Sequence, residues 1–189
     1  MSLQTWQETL VTSQVAGTLF NTYTTTKTVL PVGCLVTLPA NWWYIGRTIR
    51  VTVQGGMSTL VTTPGTCTMS VNLGAITAFT TGAVQLNATA HTTIPFELSV
   101  LLTCRAVGSG TAANCMGIGK LRGRMFTYTA AQVDQVNIGD SMMVPTTAPA
   151  VGSGFDSTAA QTLDFFNGFS ISNAANGIQV QNYIVEALN

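Results

Sequence analysis

A nucleophilic hydrolase needs a base beside its nucleophile, and histidine usually fills that role. The chain has one histidine, His91, set in Ala90-His91-Thr92 with no acidic residue near it in sequence. That context predicts a surface or edge histidine rather than a triad member, and a single imidazole is a poor start for a zinc site. The seven carboxylates, Glu8, Glu97, Asp134, Asp140, Asp156, Asp164 and Glu186, are scattered singly. Glycosidase chemistry would require folding to bring two of them to catalytic separation. Asp134 and Asp140 lack the ordered spacing of a calcium loop. The four cysteines, Cys34, Cys67, Cys104 and Cys115, follow no CxxC spacing, which argues against zinc or redox chemistry. Cys104 and Cys115 form the candidate disulfide, because they flank a predicted hairpin tip at Val107-Gly108-Ser109-Gly110. Buried free thiols are the favoured alternative for a chain made in a reducing cytoplasm.

Gly117-Ile118-Gly119-Lys120-Leu121-Arg122-Gly123 has the glycine content of a nucleotide loop but not its spacing. The third glycine is one residue late for a dinucleotide fingerprint, and Lys120 is followed by Leu121 rather than Ser or Thr. No catalytic residue, metal site or cofactor is therefore expected. The physical feature left in that segment is the series Lys120, Arg122 and Arg124, which in an extended strand points to one face. Cations so placed repel unless carboxylates or phosphates answer them, and this makes the series a candidate interface. A net charge of zero argues against general nucleic-acid binding. Trp42, Trp43 and Tyr44, just before a strand, read as a structural plug for one end of a β sandwich, with sugar stacking or an interface anchor as the other readings.

The elements that must position these groups are strands. Thr is the commonest residue and period-two alternation recurs along the chain, while helical periodicity is nearly absent. Arg47 to Val53 is the clearest case, placing Ile49, Val51 and Val53 on one face and Thr48, Arg50 and Thr52 on the other. Further strands are predicted at Leu19–Leu30, Thr66–Leu73, Ala83–Ala88, Thr93–Arg105, Asn114–Arg124, Thr162–Ser172 and Ile178–Leu188. About eight strands is the number in a jelly roll. The fold class expected is all-β, an antiparallel β sandwich of jelly-roll type. Asn176-Gly177 is the strongest turn signal and predicts a hairpin between the last two strands. Residues 1–16 read as an N-terminal arm, with Trp6 and Leu10 as further candidate interface residues. Residues 17–189 read as a single domain, in which 126–158 form a long irregular loop expected to reach over a neighbouring subunit.

Charged residues are 7% of the chain, against about 25% in ordinary soluble proteins, while 46% are apolar. No apolar run approaches the roughly 20 residues of a spanning helix, so no membrane partner is expected. A polar surface with so little charge is poorly protected against association, which favours permanent assembly with copies of itself.

The segment Leu38-Pro39-Ala40-Asn41-Trp42-Trp43-Tyr44-Ile45-Gly46-Arg47-Thr48-Ile49-Arg50-Val51 resembles a pattern common in small structural proteins of tailed bacteriophages. Met69-Ser70-Val71-Asn72-Leu73-Gly74, Ile94-Pro95-Phe96-Glu97-Leu98, the glycine-rich strand through Gly117 and Gly119, and the ending Tyr183-Ile184-Val185-Glu186-Ala187-Leu188-Asn189 are similar too and follow in order. The resemblance implies a jelly-roll virion protein without enzymatic activity, often a homotrimer. It further implies a decoration or cement subunit that binds the major capsid protein on the outer surface of the capsid. The alternative is a tail or receptor-binding module that recognises a host-surface glycan. Met1-Ser2-Leu3-Gln4 begins no basic and apolar leader, so synthesis in the host cytoplasm is expected.

Overall fold

Strands whose side chains alternate between apolar and polar cannot bury their apolar face alone, and two such sheets solve the problem by packing face to face. The computed structural model describes residues 7–60, 62–127 and 141–188, and these form two antiparallel sheets packed as a sandwich. In chain order the strands are β1 (Glu8–Thr12), β2 (Phe20–Asn21), β3 (Lys27–Thr28), β4 (Val36–Leu38), β5 (Thr48–Thr59), β6 (Thr66–Leu73) and β7 (Ile76–Thr80). They continue with β8 (Val84–Leu86), β9 (His91–Ala106), β10 (Asn114–Arg122), β11 (Phe126–Thr127), β12 (Ser141–Val144), β13 (Gln161–Phe169) and β14 (Gly177–Ala187). The first sheet runs β1-β14-β5-β9-β10-β12, with β2 also on β14. The second runs β11-β8-β6-β13-β3, with β4 on β13 and β7 on β6.

The inward faces follow the alternation. Ile49, Val51 and Val53 of β5, Leu98, Val100 and Leu102 of β9, and Tyr183 and Val185 of β14 are fully buried. They meet Met69, Val71 and Leu73 of β6 and Leu163, Phe165 and Phe169 of β13. Gly117 of β10 faces the second sheet. A Cβ there would stand 2.5–2.9 Å from the ring and Cβ of Phe79 on β7, so the bare backbone is what lets the opposite sheet approach. Gly117 and Gly119 are packing positions within a strand, against Phe79 and against β9, not a phosphate cradle.

Three expectations are corrected. The last two strands are not a hairpin: β13 belongs to the second sheet and β14 to the first. Residues 170–176 cross between them, and Asn176 is fully buried at the end of that crossing. Its Nδ2 donates to the carbonyls of Pro64 (3.0 Å) and Ile171 (3.1 Å), and its Oδ1 accepts from the Leu60 amide (2.8 Å). The side chain is a brace to backbone groups of Leu60, Pro64 and Ile171, where a hairpin turn residue was expected.

The second correction concerns residues 1–16. Glu8–Thr12 pair with β14 as the edge strand of the first sheet, and the chain continues the attachment through Ser13 N to Tyr183 O (2.8 Å) and Gly17 N to Val180 O (2.7 Å). Leu10 packs partly buried against the core instead of standing free for a partner, because the outer edge of β14 needs its amides and carbonyls satisfied. Trp6 lies outside the described residues.

The third concerns the long loop. Its described part folds onto the chain's own sandwich. β12 pairs with β10, Gly152 N donates to Cys115 O (2.8 Å), and Ala113 and Phe155 exchange bonds of 3.1 and 2.9 Å. Thr146 N and Ser153 N reach the carbonyls of Thr81 (2.9 Å) and Thr77 (3.1 Å) beside the second sheet. Residues 141–155 thus strap the two sheets together at one edge. Residues 128–140, with Asp134 and Asp140, lie outside the described residues.

Candidate functional site

Antiparallel register decides which outward side chains become neighbours, and sequence spacing alone does not contain that information. Asn182 of β14 stands opposite Gln54 of β5, Gln54 opposite Glu97 of β9, and Glu97 opposite Arg122 of β10. Four polar side chains therefore form one row across four strands on the outer face of the first sheet. They are bonded in series: Asn182 Nδ2 donates to Gln54 Oε1 (3.3 Å), and Gln54 Nε2 donates to Glu97 Oε2 (2.8 Å). Arg122 faces the other oxygen, Glu97 Oε1, at 3.8 Å.

This row borders an open groove of about 790 Å³. β14 bulges between Val180 and Asn182, so Gln181 has no register partner on β5, and Gln181 and Asn182 both line the groove. Ile94 and Pro95 supply an apolar side. Thr93, also lining the groove, holds φ +51°, a backbone conformation that a β-branched residue adopts only under constraint and that recurs at ligand clamps. Arg124 follows the end of β10 and lines the groove beside Arg122. Among the described residues Glu97 is the only carboxylate of the lining, and no cluster of three His, Cys, Asp or Glu side chains forms a metal site. The arrangement offers amides, two guanidinium groups and one carboxylate, a set that binds hydroxyls and anions through directed hydrogen bonds.

The residues singled out in the sequence are dispersed. Arg122 and Arg124 reach the groove, but β10 ends at Arg122, so Arg124 is not the third member of a strand series. Lys120 is exposed on the same sheet face, opposite Ser99 and Met143, outside the groove. Trp43 is buried edge-on to Phe155 (5.9 Å between centroids), as a plug would be. Trp42 packs edge-on against Trp43, and the Arg47 guanidinium lies 3.7 Å from the centroid of the Trp42 ring. Tyr44 is 46% exposed, and the same guanidinium lies over its ring at 4.9 Å, so it packs on Arg47 at the surface instead of filling the interior. His91 bonds through Nδ1 with the Thr59 hydroxyl (2.9 Å).

Cys104 and Cys115 are directly opposed on β9 and β10, yet the disulfide is not formed and all four cysteines are buried free thiols. Both side chains point into the apolar core, where Cys104 Sγ bonds to the Ala106 carbonyl (3.3 Å). Burial pushes the Cys67 thiol up to about 12 and raises those of Cys34, Cys104 and Cys115. Since thiolate is the reactive form, the native protein should give no fast reaction with a thiol reagent at pH 8, whereas in denaturant without reductant all four thiols should react. A count of two would restore the disulfide.

Gln54, Gln181 and Asn182 were not legible as site residues, since each is an ordinary polar residue in or beside a strand. Their only signal is that they fall at outward positions, and it acquires meaning once the register is known.

No family model matches the chain, and no curated protein matches it. Among solved structures it is similar to the CBM2 module of the evolved Dit of Lactobacillus casei BL23 phage J-1, at 14% identity and a TM-score of 0.41, over 99% of this chain and 98% of that one. At that score the likeness carries no assignment of function.

Proposed function

We propose that the chain is a non-catalytic β-sandwich module of a bacteriophage virion that recognises a host-surface glycan in the groove of its first sheet. The bonded row Asn182-Gln54-Glu97-Arg122 carries this reading. Saccharide hydroxyls are both donors and acceptors, and side-chain amides held by their neighbours meet them without first paying to order themselves. Ile94 and Pro95 give the sugar C–H faces an apolar contact. Among the described residues the lining has a single carboxylate, Glu97, whereas a glycosidase works with two. The virion context rests on the resemblance of residues 35–189 to small bacteriophage structural proteins.

Titration of the purified chain with polysaccharide fragments from the host surface tests the reading. Binding is expected, and the double variant Gln54→Ala, Asn182→Ala should weaken it by about tenfold or more, the worth of two directed hydrogen bonds, with the unfolding midpoint nearly unchanged. Binding that survives the double variant would remove the groove from the proposal.

A second reading, the capsid decoration subunit bound as a homotrimer to the major capsid protein, is favoured by a different part of the same sheet. Leu101 and Ile118 are cross-strand partners and, with Met143, form an exposed apolar patch flanked by Lys120. Such a patch suits a protein interface. Hundreds of copies over the head of purified particles would support decoration. A few copies at the tail would support the receptor-binding reading.

A further inference from the structure

The cations of this chain are few, and most have a partner within the fold. Lys27 lies over the rings of Phe20 (4.8 Å) and Tyr23 (4.3 Å), and Arg47 over those of Trp42 (3.7 Å) and Tyr44 (4.9 Å). Arg50 pairs with Glu186 at 3.3 Å. Arg122 has Glu97, but at 3.8 Å and with Gln54 already occupying that carboxylate's other oxygen. Among the described residues Arg105, Lys120 and Arg124 have no acidic partner, and of these Arg124 alone lines the groove. Two guanidinium groups therefore share one concavity with one carboxylate, giving the groove a net positive charge in a chain whose formal charge is zero. Like charges gathered in a groove repel unless an anion answers them, and guanidinium groups match carboxylate and phosphate oxygens in pairs.

We infer that the groove takes an acidic saccharide, whose carboxylate or phosphate group is bound by Arg124 together with Arg122. This rests on the glycan reading above and narrows its ligand class. The amides of Gln181 and Asn182 address the neutral hydroxyls, and the guanidinium groups address the charge. Glu97 holds Arg122 in position and repels an anion placed too far along the row, so that the acidic group is directed toward Arg124.

Calorimetric titration at low ionic strength with three polymers tests this: polygalacturonate as the carboxylate, poly(glycerol phosphate) as the phosphodiester, and dextran as a neutral control. At least one acidic polymer should bind tenfold or more tightly than dextran, weaken as salt rises, and lose about tenfold in the exposed-site variant Arg124→Gln while Arg124→Lys retains part of the affinity. Which acidic polymer binds names the source of the anion. Equal binding of neutral and acidic polymers, or acidic binding indifferent to Arg124→Gln, overturns the inference. If dextran or a neutral host glycan binds and depends on Gln54 and Asn182, the glycan reading stands and only the acidic ligand fails. If no saccharide binds, both fail.

Discussion

Asn176→Ala should lower the stability of this protein by about 4 kcal/mol, because three backbone groups lose their partner at once and each buried, unpaired group costs about 1–3 kcal/mol. The side chain is completely buried and joins Ile171 of the crossover from the second sheet to the first to Leu60 and Pro64 of the β5–β6 connection. Water cannot replace the amide without opening that crossover. Domains have only about 5–15 kcal/mol to lose, so the expected fall in melting temperature is about 8 to 16 °C for a chain of this size. Asn176→Asp is the sharper variant. It keeps the shape and the acceptor for Leu60 but turns both donors into a carboxylate facing the carbonyls of Pro64 and Ile171. It should be at least as damaging as alanine at neutral pH. Urea denaturation of the two variants measures this, and a loss under about 1 kcal/mol for either would show that the brace is dispensable.

Gly55→Ala should be destabilising by about 3 kcal/mol or more, at the upper end of overpacking effects. A Cβ at Gly55 would lie 2.0 Å from the carbonyl oxygen of Gln179 and 3.0 Å from its carbon and from the Cα of Val180. All three are backbone atoms of β14, so no rotamer change relieves the overlap, and β5 must move away from β14 in the middle of the sheet. Gln54 and Asn182 lie next to this point, so their 3.3 Å hydrogen bond should be lost with the displacement. The variant should therefore lose glycan affinity as well as stability. Chemical denaturation and the titration used for the groove variants check the two effects on one preparation, and an unaltered midpoint would refute the packing argument.

Much of the architecture follows from local pattern. The alternation in Arg47–Val53 and the repeated β-branched runs required strands with one buried face, and the residues assigned to that face, Ile49, Val51 and Val53, are fully buried. Scarcity of histidine and scattered carboxylates pointed away from catalytic and metal chemistry. These properties are set by composition and by side-chain direction along one strand, and both are present in a linear chain.

Sheet membership was not local. Asn176-Gly177 has the chemistry of a tight hairpin turn, but the same amide serves equally as a buried brace, and only the partners brought up by Leu60, Pro64 and Ile171 decide between the two. The N-terminal residues became an edge strand because β14 had an unpaired edge to fill, a condition created by the other end of the chain. The groove has the same origin. Gln54, Glu97, Arg122 and Asn182 are far apart in sequence and become one bonded row through strand register and a single bulge in β14. By itself the sequence determined an all-β chain and which side chains turn inward, because those depend on a period of two. The tertiary structure alone decided which outward side chains meet, because register is a relation between strands.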